Sequence, residues 1–354
     1  MTAARQLSYG GAIREALDLC LAADPRVYVM GLGVPDPVGI FGTTRGLAER
    51  HGAERVRDMP ISENAMTGVA IGTALTGMRP VMTHMRLEFA MLAIDQIVNQ
   101  AAKWHYMFGG QATVPLVVRL IVGRGWGQGP QHSQSLHAWF AHVPGLKVAM
   151  PATPHDAKGL LIAAVEDDAP VLFIEHRWLH GITGPVPEGP YRVPLGRSAV
   201  LRPGRDVTVV AASYMTLEAR KAADRLAAEG IEAEIVDLRT LNPLDDRPVL
   251  DSVAKTGRLV VCDHASRHAG FAGEIVARVC ERRWGALKSP PERVTLPDLP
   301  APTSRALANY YYPGPEHIAA AVRTTLGLCG ADPWDGIAPE DRRDVPDPSF
   351  TGPF

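Results

Sequence analysis

A glutamate opens a stretch of small residues that has the length of a helix. Glu63 follows Ser62 in "RDMPISENAMTGVAIGTALTG", residues 57–77. Ser62 is a favourable N-cap, so Glu63 falls in the first turn, where the helix dipole favours negative charge. The stretch has few bulky side chains, since it carries Gly68, Ala70, Gly72, Ala74 and Gly77. Each interior glycine costs about 1 kcal/mol against alanine. Either Glu63 supplies only a charge at the helix start, or the helix packs closely on a partner and presents a carboxylate at a subunit interface.

A glycine-rich loop supplies the second candidate group. The stretch "GRGWGQGPQHSQ", residues 123–134, follows an apolar run, and its glycines are Gly123, Gly125, Gly127 and Gly129. They match neither GxGxxG nor GxxxxGK[ST], which excludes the dinucleotide and P-loop interpretations. Open α/β sheets place ligands at the ends of such strands. His132 is either a buried, hydrogen-bonded histidine or a group that the loop delivers to a cleft for proton transfer or oxyanion contact.

Apolar runs at regular intervals predict the strands that position these groups. The predicted strands are residues 26–30, 80–85, 115–123, 146–150, 171–176, 206–213, 232–238, 258–264 and 292–298. The predicted helices are residues 9–23, 63–77, 90–107, 154–166, 215–229, 247–255, 271–284 and 315–326. The strand segments are unbroken apolar runs, which is typical of parallel sheets covered on both faces. The pattern predicts an α/β fold with two doubly wound domains.

Composition places the domain boundaries. Residues 183–200 are rich in proline and glycine and are predicted to link a first domain, residues 1–182, to a second domain, residues 201–330. Residues 331–354 form a tail rich in proline and aspartate, which we expect to lie along a surface or to dock on a partner.

Charge and cysteine usage exclude several classes of function. A net charge of −2 gives no support for binding nucleic acid or a membrane surface. The four cysteines, Cys20, Cys262, Cys280 and Cys329, lack metal-ligand spacing and indicate reduced thiols in a cytoplasmic protein. The first residues have no apolar core of the kind found in a signal peptide.

Longer blocks resemble a known family. "PISENAMTGVAIGTALTGMRPV", "AIDQIVNQAAK", "GPQHSQSLHAWFAHVPGLKV" and "VDLRTLNPLD" are similar to blocks in the beta subunit of thiamin-diphosphate-dependent 2-oxo acid dehydrogenases, of the pyruvate, branched-chain and acetoin type. The resemblance runs from about residue 7 to residue 326. It implies a transketolase-like pyrimidine-binding domain followed by a transketolase C-terminal domain.

The resemblance also implies roles for individual residues. Glu63 matches the glutamate that hydrogen-bonds the aminopyrimidine ring of thiamin diphosphate and activates the cofactor. Phe89 matches an aromatic residue that stacks on that ring, although its position alone indicates ordinary core. His132 matches a histidine that contacts the reaction intermediate. Asp167, in "VEDDAP", resembles part of a potassium-binding turn, although such acidic turns are usually just solvated.

The family holds the diphosphate and its Mg²⁺ with a GDG motif on a separate alpha chain. This sequence has no GDG. The resemblance therefore implies an alpha-type partner and an α2β2 assembly.

Three departures from the family pattern concern substrate handling. Leu32 replaces an acidic residue that contributes to a water-filled channel between cofactors. His84 and Arg86 lie near the cofactor-stacking position, where Arg86 either pairs with Glu88 or binds a carboxylate or phosphate. His264 and His268, in "CDHASRHAGF", either face an anionic substrate or a lipoyl-domain partner, or are solvated surface.

The sequence thus predicts the beta subunit of a two-chain enzyme that decarboxylates a 2-oxo acid and transfers the acyl unit to a lipoyl-bearing acyltransferase. Two alternatives stay open. One is a split transketolase or carboligase subunit with an aldehyde acceptor. The other is a non-catalytic assembly subunit, which only Leu32 supports.

Overall fold

The predicted apolar runs form two sheets, one in each of two units of the chain. The computed structural model describes residues 5–124, 128–328, 330, 332–338, 343 and 345. The first unit comprises Met1–Gly123, Trp139–Leu195 and Leu241–Pro243, and the second comprises Arg124–Ala138, Gly196–Thr240 and Leu244–Phe354. Gly125, Gly127, Cys329 and most of the predicted tail lie outside the described residues.

The sheet of the first unit has seven strands among the described residues. They are β2 Val27–Gly31, β3 Val56–Arg57, β4 Arg79–His84, β5 Val117–Val122, β6 Lys147–Ala149, β7 Val171–His176 and β12 Thr240–Asn242. Their order across the sheet is β12-β6-β7-β5-β4-β2-β3. The pairs from β6 to β3 are all parallel. Strands β1 Gln6–Ser8 and β8 Thr183–Pro185 form a separate antiparallel pair.

The first half of the chain forms helices α1 Tyr9–Ala23, α2 Leu47–His51, α3 Glu63–Leu75, α4 Leu87–Ala90, α5 Trp104–Met107, α6 His137–Ala141 and α7 Pro154–Glu166. The prediction of a single helix over residues 90–107 was wrong. A 3₁₀ turn, Met91–Ala93, and a π-helical segment, Gln96–Ala101, interrupt the helix. A tertiary contact accompanies the break. A Cβ added to Gly145 would lie 2.0 Å from the Ala102 carbonyl oxygen.

Helix α1 shows how sequence spacing builds the core of the first unit. The Ser8 hydroxyl caps the helix by accepting a hydrogen bond from the Gly11 N–H at 3.0 Å. Tyr9, Ile13 and Leu17 are buried at intervals of four residues, so they share one face. That face packs on α7. Burial of each large side chain stabilises the fold by about 1.5–3 kcal/mol.

The sheet of the second unit has five strands among the described residues. They are β9 Ala199–Arg202, β10 Val207–Ala211, β11 Ala233–Asp237, β13 Leu259–Ser266 and β14 Glu292–Leu296. Their order across the sheet is β14-β13-β10-β11-β9. The helices are α8 Tyr214–Ala227, α9 Arg247–Thr256, α10 Phe271–Arg283, α11 Arg305–Ala308 and α12 Pro315–Thr325. All neighbours pair in parallel except the edge strand β9, which runs antiparallel to β11.

Two segments differ from the sequence expectation. The predicted linker, residues 183–200, contributes β8 and the start of β9. The described part of the tail lies against α12. The ring centroids of Trp334 and His317 are 3.9 Å apart, and Arg343 Nη1 lies 3.2 Å from Glu316 Oε1. Across the residues that the structure describes, no helix is long and apolar enough to span a membrane.

Candidate active site

Glu63 is the first residue of α3 and is only 8% exposed. Ser62 occupies the predicted N-cap position, but its side chain makes no capping hydrogen bond. Within the described chain, no hydrogen bond or ion pair reaches the Glu63 carboxylate. The carboxylate therefore has its full capacity to accept a hydrogen bond from a ligand.

The outer face of α3 is as bare in the structure as in the sequence. Asn64, Ala65, Val69 and Gly72 are exposed along it, and Val69 is 50% exposed. A Cβ added to Gly72 would meet nothing within 4 Å. Nothing inside the first unit therefore requires a glycine at this position, which leaves the helix face available to a partner.

His84 ends β4 and packs under α3. Its Nε2 atom lies 3.4 Å from the Thr67 hydroxyl, one turn after Glu63. Burial lowers the pKa of His84 to about 4, so the ring is neutral at pH 7. His84 therefore supports the helix that carries Glu63 but adds no positive charge for an anion.

Arg86 follows β4 and is 3% exposed. Its Nη1 donates a hydrogen bond to the Gly123 carbonyl at 2.7 Å, at the end of β5. It makes no ion pair within the described chain. Burial lowers the pKa of Arg86 to about 10, and the charge of Glu88 offsets this only in part. The Arg86 carbonyl accepts from the N–H of Phe89 at 3.1 Å, so both predicted site residues lie in one turn. Phe89 is half-buried.

Gly123 has a steric reason to be glycine. Its φ is +88°, a conformation that residues with a Cβ rarely adopt. An added Cβ would lie 2.5 Å from the His176 ring. The carbonyl that Arg86 contacts is thus fixed by a backbone turn packed against the end of β7.

Leu32, in the loop after β2, is half-buried. Gly31 packs tightly on β4, because an added Cβ would lie 2.7 Å from the Thr83 carbonyl oxygen. The Gly33 N–H donates to the Asp58 carboxylate at 2.9 Å. A carboxylate from another loop, that of Asp58, is therefore bound at the residue next to Leu32.

A buried ion pair, which was not predicted from the sequence, links β5 and β7. Arg119 donates to both Glu175 oxygens, at 2.6 and 2.9 Å, and both side chains are fully buried. His180 Nε2 lies 3.1 Å from Glu175 Oε2. Burial raises the pKa of Glu175, but Arg119 and His180 more than offset this and lower it to about 2. Arginine and glutamate within apolar strands were the signal for this pair.

The structure places His132 in the second unit, on a segment that the sequence assigned to the first domain. His132 ends a 3₁₀ turn, Pro130–His132, and is half-buried. The segment contacts Thr303 at two points. Arg124 Nη2 donates a hydrogen bond to the Thr303 carbonyl at 2.6 Å. A Cβ added to Gly129 would lie 2.3 Å from the Thr303 hydroxyl.

A buried histidine–aspartate pair forms the other anchor of this segment. His137 Nε2 lies 2.9 Å from Asp263 Oδ1, and Asp263 Oδ2 accepts from the Ala272 N–H at 3.2 Å. Burial raises the pKa of Asp263, but His137 and the amide more than offset it, so the pKa lies below its ordinary value. The sequence analysis named neither partner.

The two histidines predicted to share an anion site have different environments. The His264 ring stacks on Tyr312 with centroids 5.5 Å apart, and burial lowers its pKa to about 4. His268 is exposed, and its backbone N–H donates a hydrogen bond to Asp298 Oδ1 at 2.8 Å. His264 is therefore a neutral group within an aromatic cluster, and only His268 lies on the surface.

Asp167 lies in a turn that already contacts two cationic side chains. Lys147 Nζ donates to its Oδ2 at 2.5 Å, and the Ala169 N–H donates to Oδ1 at 2.8 Å. Arg79 donates to the carbonyls of Asp167 and Val165, at 3.1 and 3.0 Å. The oxygens of this turn attract cations, but a potassium site here stays a prediction.

Comparison with known proteins identifies the two domains. Residues 5–181 match the family model "Transketolase, pyrimidine binding domain", and residues 196–318 match "Transketolase, C-terminal domain". The fold is similar to that of a solved split-gene transketolase, described as an inactive beta4 tetramer, with a TM-score of 0.74 and 27% identity. The match covers 90% of this chain and 97% of that one. These matches confirm the predicted fold class.

Curated relatives are more similar in sequence. The chain is 47% identical over 333 residues to the beta subunit of acetoin:2,6-dichlorophenolindophenol oxidoreductase from Cupriavidus necator, covering 91% of this chain and 98% of that protein. It is 42% identical over 322 residues to the mitochondrial pyruvate dehydrogenase E1 component subunit beta-1 of Arabidopsis thaliana, covering 90% and 89%. It is 40% identical over 319 residues to the 2-oxoisovalerate dehydrogenase subunit beta of Bacillus subtilis, covering 90% and 98%. The chain belongs to the transketolase-like family, in the group of beta subunits that includes those of these dehydrogenases and oxidoreductases.

Proposed function

We propose that this chain is the beta subunit of a two-chain thiamin-diphosphate enzyme that decarboxylates a 2-oxo acid and transfers the acyl unit to a lipoyl acceptor. One observation carries the proposal furthest. Glu63 is a nearly buried carboxylate at the tip of a bare helix, and it has no partner within the described chain. A nearly buried carboxylate without a partner is costly, so a ligand that donates to it stabilises the site.

The residues of the first unit fit the aminopyrimidine end of the cofactor. Glu63 supplies an acceptor for a ring nitrogen, and Phe89, on the neighbouring α4, supplies an aromatic side chain. Within the described residues, no cluster of three or more histidine, cysteine or acidic side chains could hold a metal ion. We propose that an alpha-type partner holds Mg²⁺ and the diphosphate in an α2β2 assembly.

The mechanism follows from what these side chains can hold. When bound, thiamin diphosphate would supply a nucleophilic carbon for the keto group of the substrate. Glu63 would accept a hydrogen bond from a ring nitrogen and hold the proton there, as a positioned general acid–base group does. His84 is neutral and stabilises the first turns of α3 through Thr67. His132 would exchange protons with the substrate from its loop.

A second class of donor substrate is also a candidate, because two relatives, at 47% and 40% identity, are acetoin oxidoreductase beta subunits. In this candidate the enzyme cleaves acetoin, a neutral hydroxyketone, in place of a 2-oxo acid. The relatives named here act as dehydrogenases or oxidoreductases, which supports an oxidative acyl transfer over an aldehyde acceptor. The potassium ion at Asp167 and the cytoplasmic location stay parts of the proposal.

The test is made on this chain co-expressed with an alpha-type subunit from the same organism. The complex, with thiamin diphosphate and Mg²⁺, is given a panel of 2-oxo acids and acetoin, and dichlorophenolindophenol reduction and carbon dioxide release are followed. Cofactor-dependent cleavage, with acylation of an added lipoyl domain, supports the proposal. Carbon–carbon bond formation with an aldehyde and no lipoyl acylation would contradict it.

A further inference from the structure

A groove in the second unit lies at the carboxyl ends of two neighbouring parallel strands. Arg267 directly follows β13, and Pro297 and Asp298 directly follow β14. Helix α12 and the described part of the tail complete the walls of the groove, which has a volume of about 590 Å³. Open α/β sheets bind ligands outside the carboxyl ends of their strands, and small-molecule sites have volumes of about 300–1,000 Å³. The position and the size of the groove are therefore those of a small-molecule site.

Two arginines line the groove and hold each other in place. Arg267 Nη1 donates a hydrogen bond to the Arg293 carbonyl at 3.0 Å, and Arg293 Nη1 donates to the Arg267 carbonyl at 3.2 Å. These reciprocal contacts keep the two cationic side chains next to one another. Neither arginine forms an ion pair within the part of the chain that the structure describes. Their remaining N–H groups are suited to a phosphate, which matches the planar fork of arginine.

Two aspartates in the groove use only one carboxylate oxygen each for the fold. Asp298 Oδ1 accepts a hydrogen bond from the backbone N–H of His268 at 2.8 Å, and Asp332 Oδ1 accepts from the backbone N–H of Trp334 at 3.0 Å. Their Oδ2 atoms accept no hydrogen bond from any residue that the structure describes. An acidic side chain beyond a strand end is a common acceptor for the hydroxyl groups of a ribose. The groove thus carries groups for a sugar as well as for an anion.

Aromatic side chains supply a surface for a flat ring. Trp334 is half-buried and Tyr310 is 53% exposed, and both line the groove. Each therefore keeps part of its ring open to a ligand. A nucleobase stacks readily on such a ring, whatever its sequence of donors and acceptors.

His317 adds a buried donor that the described chain does not satisfy. Its side chain lines the groove from α12 and is 5% exposed. Its Nδ1 accepts a hydrogen bond from the Gly314 N–H at 2.9 Å, so the neutral ring carries its proton on Nε2. That Nε2 is buried and has no hydrogen-bond partner among the described residues. Because a buried donor without an acceptor is costly, a ligand acceptor here stabilises the site.

We propose that this groove binds a nucleotide, with Arg267 and Arg293 on the phosphates, Asp298 and Asp332 on the ribose hydroxyls, and Trp334 against the base. The three kinds of side chain match the three parts of such a ligand. Inorganic phosphate or pyrophosphate would use the arginines alone, and a nucleoside would leave them without an anion. The inference concerns the second unit by itself and does not rest on the reaction proposed above.

Binding is tested first on the unaltered complex with an alpha-type subunit. Thiamin diphosphate and Mg²⁺ are supplied at saturating concentrations, so that an added nucleotide does not enter the cofactor site. Isothermal titration calorimetry compares ADP and GDP with adenosine and pyrophosphate. We expect at least one of the two nucleotides to bind at least about tenfold more tightly than adenosine or pyrophosphate. Absence of nucleotide binding at about 1 mM, or equal affinity for pyrophosphate, would overturn the proposal.

Variants of an arginine locate the ligand. Arg267→Gln is expected to raise the Kd of the nucleotide by about tenfold or more, and Arg267→Lys by less, because lysine keeps the charge but loses the fork. Arg220→Gln, at an exposed position of α8, removes the same charge outside the groove and is the control. An unchanged Kd in Arg267→Gln, or an equal rise in the control, would contradict the proposed site.

Trp334→Leu separates the contact with the base from the contact with the phosphates. It should raise the Kd of the nucleotide by about fivefold or more and leave that of pyrophosphate unchanged, because only the base loses a stacking partner. Trp334→Phe, which keeps an aromatic ring, should retain most of the affinity. Melting temperatures without nucleotide show whether each variant is folded. An equal loss of nucleotide and pyrophosphate affinity in a folded Trp334→Leu variant would contradict the contact with the base.

Discussion

His137 Nε2 lies 2.9 Å from Asp263 Oδ1, and this buried pair anchors the segment that carries His132. Asp263 also accepts from the Ala272 N–H, so its carboxylate joins the loop segment to the start of α10. The arrangement fixes a loop with little apolar surface by a charged hydrogen bond. His132, five residues before His137, depends on this anchor for its position.

Asp263→Asn is expected to weaken that anchor. A hydrogen bond to a charged group contributes about 1.5–3 kcal/mol, so the free energy of unfolding should fall by that order. Turnover of the complex should fall as well, because His132 is held less firmly. Asp251→Asn, an exposed control on α9, should change stability by no more than about 0.5 kcal/mol. Equal stability and turnover of Asp263→Asn and the wild type would show that the pair anchors nothing.

The Glu175–Arg119 pair predicts how stability depends on pH. The folded-state pKa of Glu175 is lowered to about 2, below the unfolded value of about 4.3. The stability that it contributes is therefore complete above the unfolded pKa and is lost as the pH falls from there towards 2. Glu175→Gln should abolish this part of the pH dependence and destabilise the chain by about 3–5 kcal/mol, because Arg119 stays buried without its charge partner.

Denaturant unfolding between pH 7 and pH 3 measures this effect. Glu166→Gln breaks an exposed ion pair with Arg192 and serves as the control. It should change stability by about 0–1 kcal/mol at any pH. A similar small change in Glu175→Gln would contradict the assigned role of the buried pair.

Gly72→Leu tests whether the bare face of α3 is a partner surface. The position is exposed and an added Cβ meets nothing, so the isolated chain should be at least as stable as the wild type. Assembly with the alpha-type subunit should weaken by about tenfold or more, since a large side chain blocks close packing. Size-exclusion chromatography with light scattering measures assembly. Arg220→Leu, exposed on α8, is the control, and normal assembly of Gly72→Leu would exclude this face as the interface.

The sequence predicts the strand and helix segments well where a single physical pattern dominates. Helix α1 has the predicted bounds, 9–23, because a cap and a four-residue apolar spacing agree. Residues 90–107 do not form one helix, because a 3₁₀ turn and a π-helical segment interrupt it, and the close approach of Gly145 to Ala102 beside that segment leaves no local trace in the sequence. Glu63 could be predicted as a site residue from the surrounding sequence, since both its charge and the small side chains of its helix are local features. The His137–Asp263 pair could not, because its members are 126 residues apart in the sequence and meet only in the folded chain.

The central claim is that Glu63 activates the cofactor, and one measurement tests it most directly. Glu63→Gln is purified with its alpha-type partner, and thiamin-diphosphate-dependent cleavage of the best substrate is compared with that of the wild type and of Glu49→Gln, an exposed control on α2. We expect intact assembly, normal activity of the control, and a loss of kcat in Glu63→Gln by about 10²- to 10⁴-fold. Undiminished turnover of the assembled Glu63→Gln enzyme would contradict this claim.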